Sequence, residues 1–216
     1  MTNAQRIIDI YDQYDSTERI VILGNLNIAI AIGKSKGMPV DRYVALPQLT
    51  NRSKFTVMQW FQREWIKIPL RDLGIIAEYL GYNIYTFFME LDDNTAEEFL
   101  AHDAICNEKY GTDCTKLLNK AIGLHAETPK DQVLDNLELY WKSGRHYSGT
   151  RSYKRFEDVT ECTGCKRDIY YTWFSRSKVK ATIPLVSLCK ISEFTGMDIF
   201  FILENVVEKE EATTIS

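Results

Sequence analysis

The segment Leu49-Thr50-Asn51-Arg52-Ser53-Lys54 through Trp60-Phe61-Gln62-Arg63 reappears, degenerate but in order, as Cys162-Thr163-Gly164-Cys165-Lys166-Arg167 through Trp173-Phe174-Ser175-Arg176, at a constant offset of 113. After a two-residue insertion the match resumes at an offset of 115, with Ile68-Pro69-Leu70 over Ile183-Pro184-Leu185, and Gly81 and Ile84 over Gly196 and Ile199. Upstream, Leu26 and Gly33-Lys34 match Leu137 and Gly144-Arg145 at an offset of 111. A repeat of this kind constrains the fold more than any single motif, because both copies must satisfy one pattern of burial. At 216 residues the chain suits two small cores with a connector between them.

Each copy reads as helical. Leu70, Leu73, Ile76, Ala77 and Leu80 recur at three- and four-residue steps, as do Leu185, Leu188, Ile191 and, one step on, Phe194. Pro69 and Pro184 stand near the start of that helix, where a missing N–H costs nothing, and Gly81 and Gly196 stand where a left-handed cap belongs. Asn51 and Gly164 tolerate the positive φ of a sharp interhelical turn, and Ser53 is a suitable N-cap for the helix that follows. The expected architecture is all-α, with two tandem helix-turn-helix units joined by a helical connector. The divisions read from sequence are an N-terminal helix over 1–19, unit one over 20–90, an acidic helical connector over 91–130, unit two over 131–207 and an acidic tail over 208–216.

At these residues the chain resembles the lambda-repressor-like (Cro-type, XRE) helix-turn-helix domains, in two degenerate tandem copies. That family's pattern is a short helix ending at a tight turn, a recognition helix with an apolar residue and then Trp, a basic turn, a Pro, and a Leu-rich helix closing in Leu-Gly-Val. Asn51 to Trp60, Ile68-Pro69-Leu70 and Leu80-Gly81-Tyr82 are similar to it, as are Gly164 to Trp173, Ile183-Pro184-Leu185 and Thr195-Gly196-Met197. Pro47 departs from it by falling in the motif's first helix. Phe55 departs too, at a usually polar recognition position. The loops Gly37 to Tyr43 and Ser148 to Lys154 are longer than the family's.

The resemblance implies a sequence-specific, double-stranded DNA-binding transcriptional regulator, a repressor of phage or mobile-element type whose second motif helix enters the major groove. Capped by Ser53, the first recognition helix would present Lys54, Phe55, Met58, Gln59 and Gln62, with Arg63 toward the DNA backbone. The second would present Arg167, Asp168, Tyr171, Thr172 and Ser175, with Lys166 and Arg176 on phosphate. These types suit base edges, since Gln pairs with adenine, Arg with guanine, and Asp accepts from cytosine. Val57, Trp60, Tyr170 and Trp173 would face the cores. Two heads could occupy half-sites about 34 Å apart; a homodimer with four heads is equally open, with Ile7, Ile8 and Tyr11 as its contact. The alternative is a protein-binding regulator on the same scaffold, an antirepressor or an inhibitor of a host protein, which Phe55, Met58, Tyr171 and the overall acidity favour.

Charge distribution supports the first reading. The net charge is −4, yet Lys34 to Arg71 holds eight basic residues against two acids, and Lys142 to Lys180 ten against four. Residues 91–130 hold eight acids against four lysines. Segregation of this kind is the footprint of a face that meets phosphate.

Other chemistries find little support. Cys162-x-x-Cys165 has a metal-compatible spacing, but the repeat sets Cys162 over Leu49 and Cys165 at a family valine position, so both read as small buried hydrophobes and no metal or other cofactor is expected. Five cysteines at irregular spacing fit reduced thiols. His102, His125 and His146 lack partners at catalytic spacing, and Gly33-Lys34-Ser35 lacks the first glycine of a phosphate loop because Ile28 stands there. An enzyme is not expected. The longest apolar run, Ile20 to Ile32, is interrupted by Gly24, Asn25 and Asn27 and is too short to span a bilayer. The acidic opening segment does not suit a signal peptide, which makes the cytoplasm the expected compartment.

Overall fold

The structure, a computed structural model, describes residues 1–142, 151–178 and 181–204. The loop 148–150, His146, Lys180 and the 208–216 tail lie outside the described residues. Among the described residues the chain is all-α, twelve α-helices and one 3-10 turn with no strand. The order is α1 (Asn3–Ser16), α2 (Arg19–Ser35), α3 (Ala45–Thr50), α4 (Lys54–Gln62), α5 (Leu70–Leu80), a 3-10 turn (Ile84–Phe88) and α6 (Ala96–Tyr110). Then come α7 (Cys114–Glu127), α8 (Lys130–Lys142), α9 (Arg151–Thr163), α10 (Arg167–Phe174), α11 (Leu185–Thr195) and α12 (Ile199–Leu203). No helix among the described residues is long and apolar enough to cross a membrane.

The chain forms two compact units, residues 9–119 in one and residues 120–216 together with 1–8 in the other. The structure extends the repeat beyond what shared identities reveal. Helices α1 and α7 have the same length, 14 residues, at the same offset of 111 that relates α2 to α8. The Tyr14 hydroxyl donates to the Ile68 carbonyl at 2.8 Å, and His125 Nε2 meets the Ile183 carbonyl at 2.8 Å. Tyr14 and His125 are equivalent, and so are Ile68 and Ile183. The repeating unit is therefore six elements long, α1 to the 3-10 turn and then α7 to α12, and the stretch 91–130 is not one connector. Its first helix, α6, buries Phe99 and Cys106 in the 9–119 unit, and its second opens the second copy.

Two further devices occur in both copies. Arg19 donates to the carbonyls of Ile66 and Trp60, both at 2.7 Å; its equivalent Lys130 donates to those of Thr172, Ser175 and Lys178 at 3.1, 2.9 and 2.9 Å. Each cation gathers carbonyls from the last turn of α4 or α10 and from the loop just beyond it, where a positive charge is favoured by the helix dipole. The buried Asn25 amide donates to the carbonyls of Thr86, Phe87 and Met89 at 3.2, 3.2 and 2.7 Å. Asn136, at the equivalent place, donates to Phe201, Ile202 and Glu204 at 3.3, 3.0 and 3.0 Å. A buried amide with three carbonyl partners fixes the last element of each copy, since leaving those groups unpaired would cost about 1–3 kcal/mol apiece.

Core positions follow the three- and four-residue pattern with one exception. Leu70, Leu73, Ile76, Ala77 and Leu80 are buried, as are Leu185, Leu188 and Ile191. Phe194 is 42% exposed, and Thr195, the equivalent of Leu80, takes the inward place. Its hydroxyl is accommodated because it donates back to the Ile191 carbonyl at 2.7 Å. Pro47 is the third residue of α3, within the first turn, where no N–H is required. The equivalent residue in α9 is Thr160, and without the proline α9 runs for 13 residues against six in α3.

Candidate nucleic-acid interface

In the 9–119 unit, α3 closes with the Thr50 hydroxyl on the Leu46 carbonyl at 2.8 Å, and Asn51 follows in the left-handed region at φ 54°. The chain then reverses into α4, whose first turn is capped by the Ser53 hydroxyl accepting the Thr56 N–H at 3.0 Å. In the other unit the Thr163 hydroxyl closes α9 on the Val159 carbonyl at 2.5 Å, and Gly164 at φ 69° makes the reversal. Only residues that tolerate a left-handed backbone fit these two points. Lys166 occupies the N-cap of α10 and supplies no side-chain cap.

The inward face of each following helix is anchored. Val57 is fully buried, Trp60 is 2% exposed, and Tyr170 is 7% exposed. Trp173, read from sequence as core-facing, is half-buried. The outward faces carry the residues expected there: Ser53, Lys54, Phe55, Gln62 and Arg63 are exposed and Met58 and Gln59 half-buried, while Lys166, Arg167, Asp168 and Tyr171 are exposed and Thr172 and Ser175 half-buried. Within each unit the structure thus brings the candidate residues onto one helix face and its ends.

The cations on these faces are positioned by rings. Lys54 lies over Tyr43 at 5.8 Å and its equivalent Arg167 over Phe156 at 6.0 Å and Tyr171 at 5.7 Å. Arg42 lies over Phe61 at 4.8 Å, and its equivalent Arg155 over Phe174 at 4.5 Å. Such pairs hold a guanidinium or ammonium in place without neutralising it. Arg63 and Arg176 diverge. Arg63 lies over Trp65 at 5.2 Å, whereas Arg176 is held by Asp135 at 2.5 Å, Glu138 at 3.5 Å and Asp131 at 3.8 Å, all on α8. These acids neutralise Arg176, so it does not stand free for phosphate as the sequence suggested.

The turn ahead of α4 has a charge pair that its counterpart lacks. Arg52 Nε donates to Asp72 Oδ2 at 2.9 Å, and the Asp72 side chain is wholly buried. Cys165 and Ser187 stand at the equivalent places. Cys162 and Cys165 are both half-buried, and burial pushes the Cys162 thiol up to about 11, which leaves it protonated near neutral pH. Three residues of this surface escaped the sequence reading: Arg42, Tyr43 and Trp65, the last 74% exposed. Trp65 sits in the short turn Arg63-Glu64-Trp65-Ile66-Lys67, whose charged residues mark it as surface, and an aromatic ring among them is the signal the sequence offers.

No family model matches the chain, and no curated protein and no solved structure is similar to it.

Proposed function

We propose that the chain is a double-stranded DNA-binding transcriptional regulator with two reading heads of helix-turn-helix type, α4 and α10, in the manner of phage and mobile-element repressors. The observation that carries this reading is the paired outward row. Lys54 and Arg167 sit at equivalent first positions of α4 and α10, each over an equivalent ring, with hydrogen-bonding side chains one and two turns further along. A cation and polar groups at one and two helical turns is the arrangement that places a helix against phosphates and base edges. Because Arg167 is followed by Asp168 while Lys54 is followed by Phe55, the heads would read different half-sites, with α10 the more selective.

Titration of labelled duplexes against salt tests the reading. Affinity should fall steeply as salt rises, and selection from random duplexes should enrich at least one motif. Arg167→Ala should weaken the selected site by about 1–3 kcal/mol and relax preference at one base pair. Absence of binding to any random duplex at low salt overturns the proposal. A second reading, a protein-binding regulator on the same scaffold, is favoured by Phe55 at 63% exposure and Trp65 at 74%. Recovery of a stoichiometric protein partner together with failure of the duplex titration would establish it.

A further inference from the structure

The rings on the first copy exceed what duplex reading can use. In the major groove a phenylalanine touches little beyond a thymine methyl, and base faces are hidden by stacking. Ring faces serve where bases are unpaired, and there they are combined with cations that track the phosphates. The α4 surface has both components. Phe55 and Trp65 are 63% and 74% exposed, and Tyr43 and Trp65, at the two ends of α4, each lie beneath a cation, Lys54 and Arg63. From Arg42 to Trp65 the sequence holds four basic residues and one acid, Glu64. At about 1.5 Å per helical residue, Phe55 to Gln62 spans about 10 Å, room for about three bases at the 3.4 Å stacking interval.

The fold does not demand these rings. The equivalent of Phe55 in the second copy is Asp168, exposed on the same scaffold, and the turn that follows α10, Ser175-Arg176-Ser177-Lys178, holds no ring. Copy two keeps one exposed ring beside a cation, Tyr171 with Arg167, but sets the acid Asp168 next to them, which is unsuited to a phosphate-lined strand, so the property is assigned to copy one.

We propose that the outer face of α4, with Tyr43 at one end and Trp65 at the other, binds unpaired nucleic-acid bases by stacking. This surface goes beyond duplex reading and can be tested apart from it. The probe is an oligothymidylate of about 20 nucleotides, longer than one site, titrated into the full chain at low salt by anisotropy and by tryptophan fluorescence. Binding should quench the emission of Trp65. Phe55→Ala with Trp65→Ala should lower oligothymidylate affinity about 10-fold or more, Trp65→Phe alone should largely retain it, and Asp168→Ala with Lys178→Ala should change it less than about 3-fold. Thermal unfolding of all variants should match the parent, since the altered side chains are exposed.

Three results would overturn the proposal: no oligothymidylate binding, binding that the ring-deficient variant retains, or equal competition by polyglutamate of matched charge, which would assign the face to acidic protein. Loss of duplex binding with oligothymidylate binding intact would remove the duplex reading and leave this one standing.

Discussion

The turn before α4 is tied to α5 by a charged pair, Arg52 with the buried Asp72, and the turn before α10 makes the same reversal with Cys165 and Ser187 and no charge at either place. Both turns share the left-handed residue and the threonine that closes the preceding helix, so these set the geometry and the ion pair is an addition peculiar to one copy. The outer faces differ in the same sense. Copy one sets exposed rings at both ends of α4, Phe55 and Trp65, whereas copy two has Asp168 at the first of these places, no ring in the turn after α10, and Arg176 neutralised by three acids. One scaffold thus carries two surfaces of different chemistry.

The largest test of this comparison is at the ion pair. Arg52→Cys alone should destabilise the 9–119 unit by about 3 kcal/mol, because it strands a carboxylate in the interior, while Arg52→Cys with Asp72→Ser, which imports the second copy's pair, should stay within about 1 kcal/mol of the parent. Urea unfolding would read both, and equal losses in the single and double variants would refute the idea that the pair is dispensable. Next come the amide clamps. Asn25→Leu and Asn136→Leu should each cost about 2 kcal/mol in their own unit, and a large effect in only one would show that the clamp is not a shared device.

A smaller effect separates Tyr14 from its equivalent His125. The Tyr14 hydroxyl is pushed up to about 12, chiefly by burial and then by Asp15 and Asp72. A phenol whose folded value is raised stabilises the fold below about pH 10, and that contribution is lost as pH rises toward 12. Tyr14→Phe should therefore flatten part of the alkaline loss of stability, by about 1 kcal/mol once solvent screening of a half-buried group is allowed for. An unchanged pH profile would place the alkaline sensitivity elsewhere, with Tyr85, raised by burial and by its hydrogen bond to Asp9, the next group to examine. Smallest of all, Arg176→Ala should alter stability by less than about 1 kcal/mol, as expected of exposed ion pairs. It should also weaken duplex binding less than Arg63→Ala does; a larger effect would mean that the three acids release Arg176 on binding.

Much of this organisation could be read in the residues, and what could not has identifiable causes. The two cores, the left-handed turns and the outward rows followed from apolar spacing, Asn51, Gly164 and the prolines, because local sterics and burial decide them. The equivalence of α1 and α7 was hidden: their core positions, Ile7 over Leu118 and Ile10 over Ala121, keep hydrophobicity without identity, and Tyr14 and His125 make the same contact with different chemistry. Asn25 and Asn136, each one residue before the matched Leu26 and Leu137, were the missed evidence, since a polar side chain repeated within an apolar helix implies a buried partner. Phe194 misled because three-residue steps each drift about 60° around a 3.6-residue helix, so the row from Leu185 has left the core by Phe194, whereas Thr195, seven residues after Leu188, returns to it. The neutralisation of Arg176 required acids on another helix, which no local window contains.

The amide clamp also says where such a unit can be joined to others. With Asn25 occupying the carbonyls of Thr86, Phe87 and Met89, the last element of copy one is fixed from within, and α6 fastens the same element from behind. Asp103 accepts from the Asn83 N–H and from the Thr86 hydroxyl, both at 2.8 Å, and Asn107 accepts from the Asn83 amide at 3.1 Å. A graft placed directly after Met89 would strip those partners away and uncover Phe99 and Cys106, so copy one has to carry its own α6 wherever it is joined to another unit.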